Sequence, residues 1–159
     1  MEATVARPTA ASDVEAVYRA EGDRLWRALY AFSGDEEVAS DAVSEAFAQA
    51  IRRRAAIRDL RAWVWRAAYR LAAGDLKHRS RLVHGSTPTL LVSDSYGESG
   101  LVEALAGLTS QQRIAVVLFY YADLPVLDIA QRTGMNPIAV RAHLSRGRKR
   151  LRTLLRDDR

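Results

Sequence analysis

The stretch that decides the reading is Asp128 to Leu155, DIAQRTGMNPIAVRAHLSRGRKRLRTLL. It opens with a short helical pattern and breaks at Gly134-Met135-Asn136-Pro137. It then continues as a longer helix crowded with arginine. Gly134 is the residue that best tolerates the left-handed conformation ending a helix. Asn136 is a good N-cap, and Pro137 fits the first helical position, where no amide donor is needed. On the second helix Val140, Leu144, Gly147, Leu151 and Leu154 recur at intervals of three and four, one buried face. The other faces carry Arg141, His143, Ser145, Arg146, Arg148, Lys149 and Arg152. Two helices joined by a short glycine-containing turn, the second basic, are the layout of a helix-turn-helix.

An α-helix fits the DNA major groove, and its first turns meet the base edges. Arg141 offers paired donors to guanine or to a phosphate. Arg146, Arg148 and Lys149 lie further along, where the phosphates run. Ile138 and Ala142 offer only apolar contact, for example to a thymine methyl group. An ordinary helical hairpin with a soluble face is the plainer alternative.

The charge pattern extends that reading. Residues 52–81 hold ten Lys/Arg against two Asp/Glu, a net of +8; residues 137–159 hold eight against two, a net of +6. The rest of the chain is −9, so the overall +5 conceals two basic blocks in an acidic remainder. Such blocks mark a polyanion partner, usually nucleic acid.

Composition excludes several classes. The 159 residues suit one domain or two small ones. No apolar run reaches the roughly 18 residues of a membrane span, and Met1–Ala11 lacks the pattern of a secretory signal. There is no cysteine, and the three histidines are scattered. Disulfides, thiolate zinc sites and a histidine metal cluster are therefore not expected. No Gly-rich phosphate loop, nucleophile–base pair or acidic metal cluster stands out, so neither a catalytic site nor a cofactor is expected. A cytoplasmic protein is the simplest expectation.

The periodicity predicts an all-α chain of two small helical domains joined by a flexible linker. Ser12 with Glu15 reads as a capping box before a helix whose apolar face is Val14, Val17, Tyr18, Leu25, Leu29 and Phe32. Ser33-Gly34-Asp35 ends it and caps a second helix, with Val38, Ala42, Val43, Ala46, Phe47, Ala50 and Ile51 on one face. A break over Ala55–Asp59 leads to a third helix, LRAWVWRAAYRLAAGDLKHRSR, Leu60–Arg81. The boundaries read as 12–81 for the first domain, 82–98 for the linker and 99–156 for the helix-turn-helix domain. The linker is rich in Gly, Ser, Thr, Pro and Asp, yet holds an apolar patch, Leu90-Leu91-Val92. Thr109 with Gln112 forms a further capping box.

On the second helix Asp41, Ser44, Glu45 and Ala48 form a stripe opposite the apolar face, along which a partner helix with arginines could lie. A solvated face is the plainer reading. The third helix gathers Arg61, Trp65, Arg66, Tyr69, Arg70 and Lys77, with Arg58 just before it. Aromatic faces beside arginines suit unstacked bases and a single-strand backbone. Packing of Trp65 and Tyr69 against the first helix is an equal alternative, and Trp63 reads as core.

Three segments resemble extracytoplasmic-function (ECF) sigma factors of the sigma-70 family of bacterial RNA polymerase. Ala104–Leu151 resembles their C-terminal −35 promoter-binding domain. Asp35–Arg53 resembles their polymerase-binding helix, and Leu60–Arg81 their helix that melts and reads the −10 element. The likeness covers residues 12–81 and 99–155 in the expected order. It implies −35 contacts from Arg141, Ala142, His143, Ser145, Arg146, Arg148 and Lys149. It implies −10 contacts from Arg58, Arg61, Trp65, Arg66, Tyr69, Arg70 and Lys77. It implies polymerase contacts from Asp41, Ser44, Glu45 and Ala48. The implied partners are core RNA polymerase, through the clamp coiled coil of its largest subunit and the flap of its second-largest, and promoter DNA. An anti-sigma protein often restrains members of the family. Arg70, Ile138-Ala139, Ala142 and His143 depart from the family pattern at positions that read promoter sequence. The rival from another class is a stand-alone helix-turn-helix regulator with a helical sensing or dimerisation domain.

Overall fold

The computed structural model describes residues 9–82 and 99–157. The Leu90–Val92 patch lies outside them. The described residues form helices joined by short turns, with no strand among them.

Helix α1 spans Ala10–Ser33. Its cap is Thr9, whose side chain accepts from the Ser12 amide. The expected cap, Ser12, lies inside the first turn, its hydroxyl donating to the Thr9 carbonyl. Gly34 ends α1 at φ 68°. Asp35 caps α2, Glu36–Arg53, accepting from the Glu37 and Val38 amides. A short 3-10 turn, Arg54–Ala56, leads to Asp59, which caps α3, Leu60–Leu82, through the Ala62 amide.

These three helices close a core in which alanine decides the spacing. Ala28, Ala39, Ala46, Ala50, Ala68 and Ala72 are all fully buried, beside Leu25, Leu29, Phe32, Val38 and Val64. Small side chains at the crossings let helix axes approach closely. Ile51, expected on the buried face of α2, is 54% exposed because it sits past the edge of that contact. Tyr18 is also exposed, its ring edge-on to Phe47.

The second unit comprises α4, Ser99–Ala106; α5, Ser110–Val116; α6, Val126–Thr133; and α7, Pro137–Asp157. Thr109 and Gln112 form the reciprocal capping box expected of them. Helix α5 runs on into a π turn, Val117–Tyr121, which the apolar run IAVVLFYY did not announce. Gly134 ends α6 at φ 79°, and the Asn136 side chain accepts from the Ala139 amide to start α7. The face of α7 expected inside is inside: Val140 and Leu144 are buried, and Leu151 packs against the core. Gly147 lets α7 lie against α5; a Cβ there would meet Val116 Cγ2 at 2.9 Å.

The two units touch. Helix α6 packs on α3, and the π turn meets α1.

Candidate nucleic-acid interface

On α7, Arg141, Ser145, Arg146, Arg148 and Lys149 are exposed; Ala142 and His143 are half-buried beside them. Among the described residues, none of the four cations in that group has a carboxylate within salt-bridge distance. Arg148 Nη1 donates to the Tyr120 hydroxyl at 3.1 Å, which aims it without neutralising it. The helix thus carries a row of cations whose charge no carboxylate among the described residues neutralises. That is the electrostatic arrangement phosphates require.

The stripe on α2 is open as well. Asp41, Ser44 and Glu45 are exposed and Ala48 is half-buried. Gln49 donates to Glu45 at 2.9 Å and Arg52 at 3.0 Å. The Gln49 hydrogen bond, and then Arg52, hold the Glu45 carboxyl below the usual carboxylate range.

The third helix differs. Arg58, Arg70 and Lys77 are exposed. Arg61 is exposed but its Nε sits 3.0 Å from Glu21. Trp65 is 2% exposed and faces the interior, between α1 and the second unit. Its indole donates to Glu21 at 3.0 Å. Tyr69 is half-buried with its ring edge-on to Phe32, and burial pushes its hydroxyl pKa up. Arg66 is half-buried, with its stem beside Gly134. The packing alternative for Trp65 and Tyr69 is the one this conformation adopts. The Trp65 ring presents no free face to a base here, because Arg132 of α6 lies over it. Trp63, expected in the core, is only partly buried against it.

Three residues were missed. Glu21 is a carboxylate 6% exposed, on the same stripe of α1 as Val14 and Leu25. Arg132 is equally buried, its guanidinium carbon 5.3 Å from the Trp65 ring centre. Burial pushes its pKa down, with Glu21 and Asp128 opposing. Arg54 donates to the Ile57 carbonyl at 3.1 Å and to Asp13 at 2.8 Å, so it pins the 55–59 loop to α1. A lone ionic residue interrupting an apolar stripe was the available signal for Glu21 and Arg132.

Residues 100–151 match the family described as Sigma-70, region 4. The ECF RNA polymerase sigma factor BldN of Streptomyces coelicolor is 28% identical over 158 residues, covering 89% of this chain and 60% of BldN. The RNA polymerase sigma factor SigV of Bacillus subtilis is 25% identical over 139 residues, covering 82% of this chain and 84% of SigV. The chain is thus similar to ECF sigma factors of the sigma-70 family, with the family match on its second helical unit. The sigma-70 match falls on the helix-turn-helix that opened the sequence reading. The fold of this chain is also that of the sigma factor RpoE from Bartonella quintana, solved with the anti-sigma factor NepR. That likeness has a TM-score of 0.70 at 22% identity, over 92% of this chain and 99% of RpoE. The chain spans about 60% of the length of BldN. Among its described residues no helix is long and apolar enough to cross a membrane.

Proposed function

We propose that the chain is a sigma factor: it binds core RNA polymerase, directs it to promoters and assists DNA melting at initiation. The observation that carries this is the row of cations on α7 with no carboxylate partner among the described residues, in a unit that matches Sigma-70 region 4 and is tethered to a second helical unit with its own basic helix. Residues 99–156 read the upstream −35 duplex, with Arg141 at the base edges and Arg146, Arg148 and Lys149 on phosphates. Residues 12–81 hold polymerase through Asp41, Ser44, Glu45 and Ala48, whose exposed carboxylates suit a cationic partner helix. The same unit engages the −10 strand through Arg58, Arg70 and Lys77, joined by Arg61, Trp65, Arg66 and Tyr69 once α3 is uncovered. Residues 82–98 span the two modules. The protein partners are the clamp coiled coil of the largest subunit and the flap of the second-largest, with an anti-sigma protein as a further class. The chain works in the cytoplasm and supplies no catalysis or cofactor of its own.

The test is reconstitution. Purified core polymerase is mixed with this protein and genomic fragments, and transcript starts are mapped. Saturable core binding with new, clustered starts is the expected result. Specific duplex binding without any polymerase contact would replace this reading with the stand-alone regulator.

A further inference from the structure

Helix α5 widens at its end into the π turn Val117–Tyr121. The Ala122 amide reaches back to the Val117 carbonyl at 3.1 Å, and the Leu124 amide to the Leu118 carbonyl at 3.0 Å. Turns of this kind are rare and recur at functional positions. Here Val117 and Leu118 stay buried while Tyr120 stands 55% exposed, its ring edge-on to Phe119 with centroids 5.0 Å apart. The Tyr120 hydroxyl meets α7, accepting from Arg148 Nη1 at 3.1 Å. Both partners are exposed, so the bond adds little to stability: water would satisfy each group in its place. What it changes is aim, because it holds a planar fork of donors in one direction. Arginine has no acceptor, so the phenol oxygen can only accept in this pair. Its own proton is left over, and among the described residues nothing takes it. The charge on Arg148 is likewise matched by no carboxylate among those residues. A charged fork and a neutral donor thus stand side by side at the surface. Arg148 lies seven residues beyond Arg141, two turns and about 10 Å further along α7. With the first turn of α7 at the base edges, that distance carries Arg148 out to the strand backbone.

We propose that Tyr120 and Arg148 form one phosphate clamp, in which the phenol proton and the guanidinium grip the same backbone phosphate of the upstream duplex. Tyr120 is a contact from α5, outside the recognition helix, that the sequence reading did not assign. The inference rests on the reading of α7 as a groove helix, which the sigma factor and the stand-alone regulator share. The two members of the clamp act differently. Arg148 supplies charge, so its contact releases counterion and weakens with salt. Tyr120 supplies a neutral donor and a fixed aim for Arg148, so its contribution persists at any salt concentration. Neither reads a base, so the clamp sets the register of α7 on the duplex and leaves sequence choice to Arg141.

The test uses the full chain, with core polymerase, on a fluorescent duplex carrying a mapped upstream element, and reads affinity by anisotropy across a potassium chloride series. Arg148→Ala should weaken binding and lower the salt slope by about 0.9, one phosphate contact. Tyr120→Phe keeps the ring and removes only the hydroxyl; it should weaken binding about fivefold at every salt concentration and leave the slope unchanged. The double variant should bind within about twofold of Arg148→Ala alone, because both groups serve one phosphate. A second duplex series replaces single phosphates by neutral methylphosphonates. One linkage should weaken the native chain about tenfold, and both single variants should become insensitive at that same linkage. Native affinity in Tyr120→Phe, effects that multiply in the double variant, or loss of sensitivity at two different linkages each overturn the clamp and leave the sigma reading intact. Urea midpoints of both single variants should match the native chain, and a clear drop in Tyr120→Phe would make the hydroxyl a structural brace and the inference wrong. The same linkage pattern without polymerase, and no core binding, keeps the clamp and replaces the sigma reading with the stand-alone regulator. No duplex binding by the native chain under either condition removes both.

Discussion

Arg113, in the second unit, donates through Nη1 to the Phe32 carbonyl of the first at 3.1 Å, with its guanidinium carbon 5.4 Å from the centre of the Phe32 ring. Its Nη2 reaches the carbonyls of Ala106 and Leu108 at 3.3 and 3.2 Å. One side chain thus satisfies the end of α4, the following turn and the end of α1. Arg113→Ala strips donors from three carbonyls and should cost about 2–4 kcal/mol. Urea unfolding followed by far-UV circular dichroism checks it. The variant should also separate into two transitions, because the units lose a shared hydrogen-bond donor.

Trp65 of α3 is buried against Glu21 of α1 and Arg132 of α6, so its truncation is a folding lesion before it is a DNA lesion. Trp65→Ala should destabilise the chain by about 3–5 kcal/mol. Trp65→Phe keeps most of the ring but deprives Glu21 of its indole donor, and should cost about 1–3 kcal/mol. Thermal unfolding of the two variants orders them. A defect in promoter opening is interpretable only in the second.

Gly147 sits where α7 crosses α5. A methyl group there meets Val116 Cγ2 at 2.9 Å and Gln112 Cβ at 3.6 Å. Alanine gains about 1 kcal/mol of helix propensity over glycine, while overpacking costs about 1–3 kcal/mol. The clash wins, so Gly147→Ala should lose about 1 kcal/mol overall. Denaturant midpoints read the change, and Gly74→Ala, with nothing within 4 Å, should instead be neutral or stabilising.

Burial raises the Tyr69 hydroxyl pKa above the ordinary tyrosine value, against a smaller opposing pull from Arg113. A raised folded-state pKa means stability that is fully present below the unfolded value of about 10 and lost as pH climbs through the folded one. Thermal unfolding across the alkaline range should therefore fall more steeply in the native chain than in Tyr69→Phe. Equal slopes would show that the hydroxyl is not buried.

Helical periodicity made most of the fold legible. The Gly134 and Asn136 caps, the Thr109–Gln112 box and the Val140–Leu144 face are local features, set by residues within one or two turns of each other. Thr9 escaped because Ser12 and Glu15 mimic a capping box one turn later. The α7 cations were legible because an exposed basic face needs no knowledge of its neighbours. Trp65 and Tyr69 were not, because periodicity says which residues share a face but not which second face covers it. Arg132 and Glu21 lie more than a hundred residues apart in sequence, and only the docking of α6 on α3 brings them together.

The central claim is that one chain acts on both elements of a promoter when polymerase holds it. Permanganate footprinting of a mapped promoter, with core polymerase and this protein together, tests it most directly. Reactive thymines at the −10 element, coupled to protection of the upstream duplex that weakens in Arg141→Ala, are the predicted result. Upstream protection that persists without polymerase and never brings thymine reactivity would contradict it.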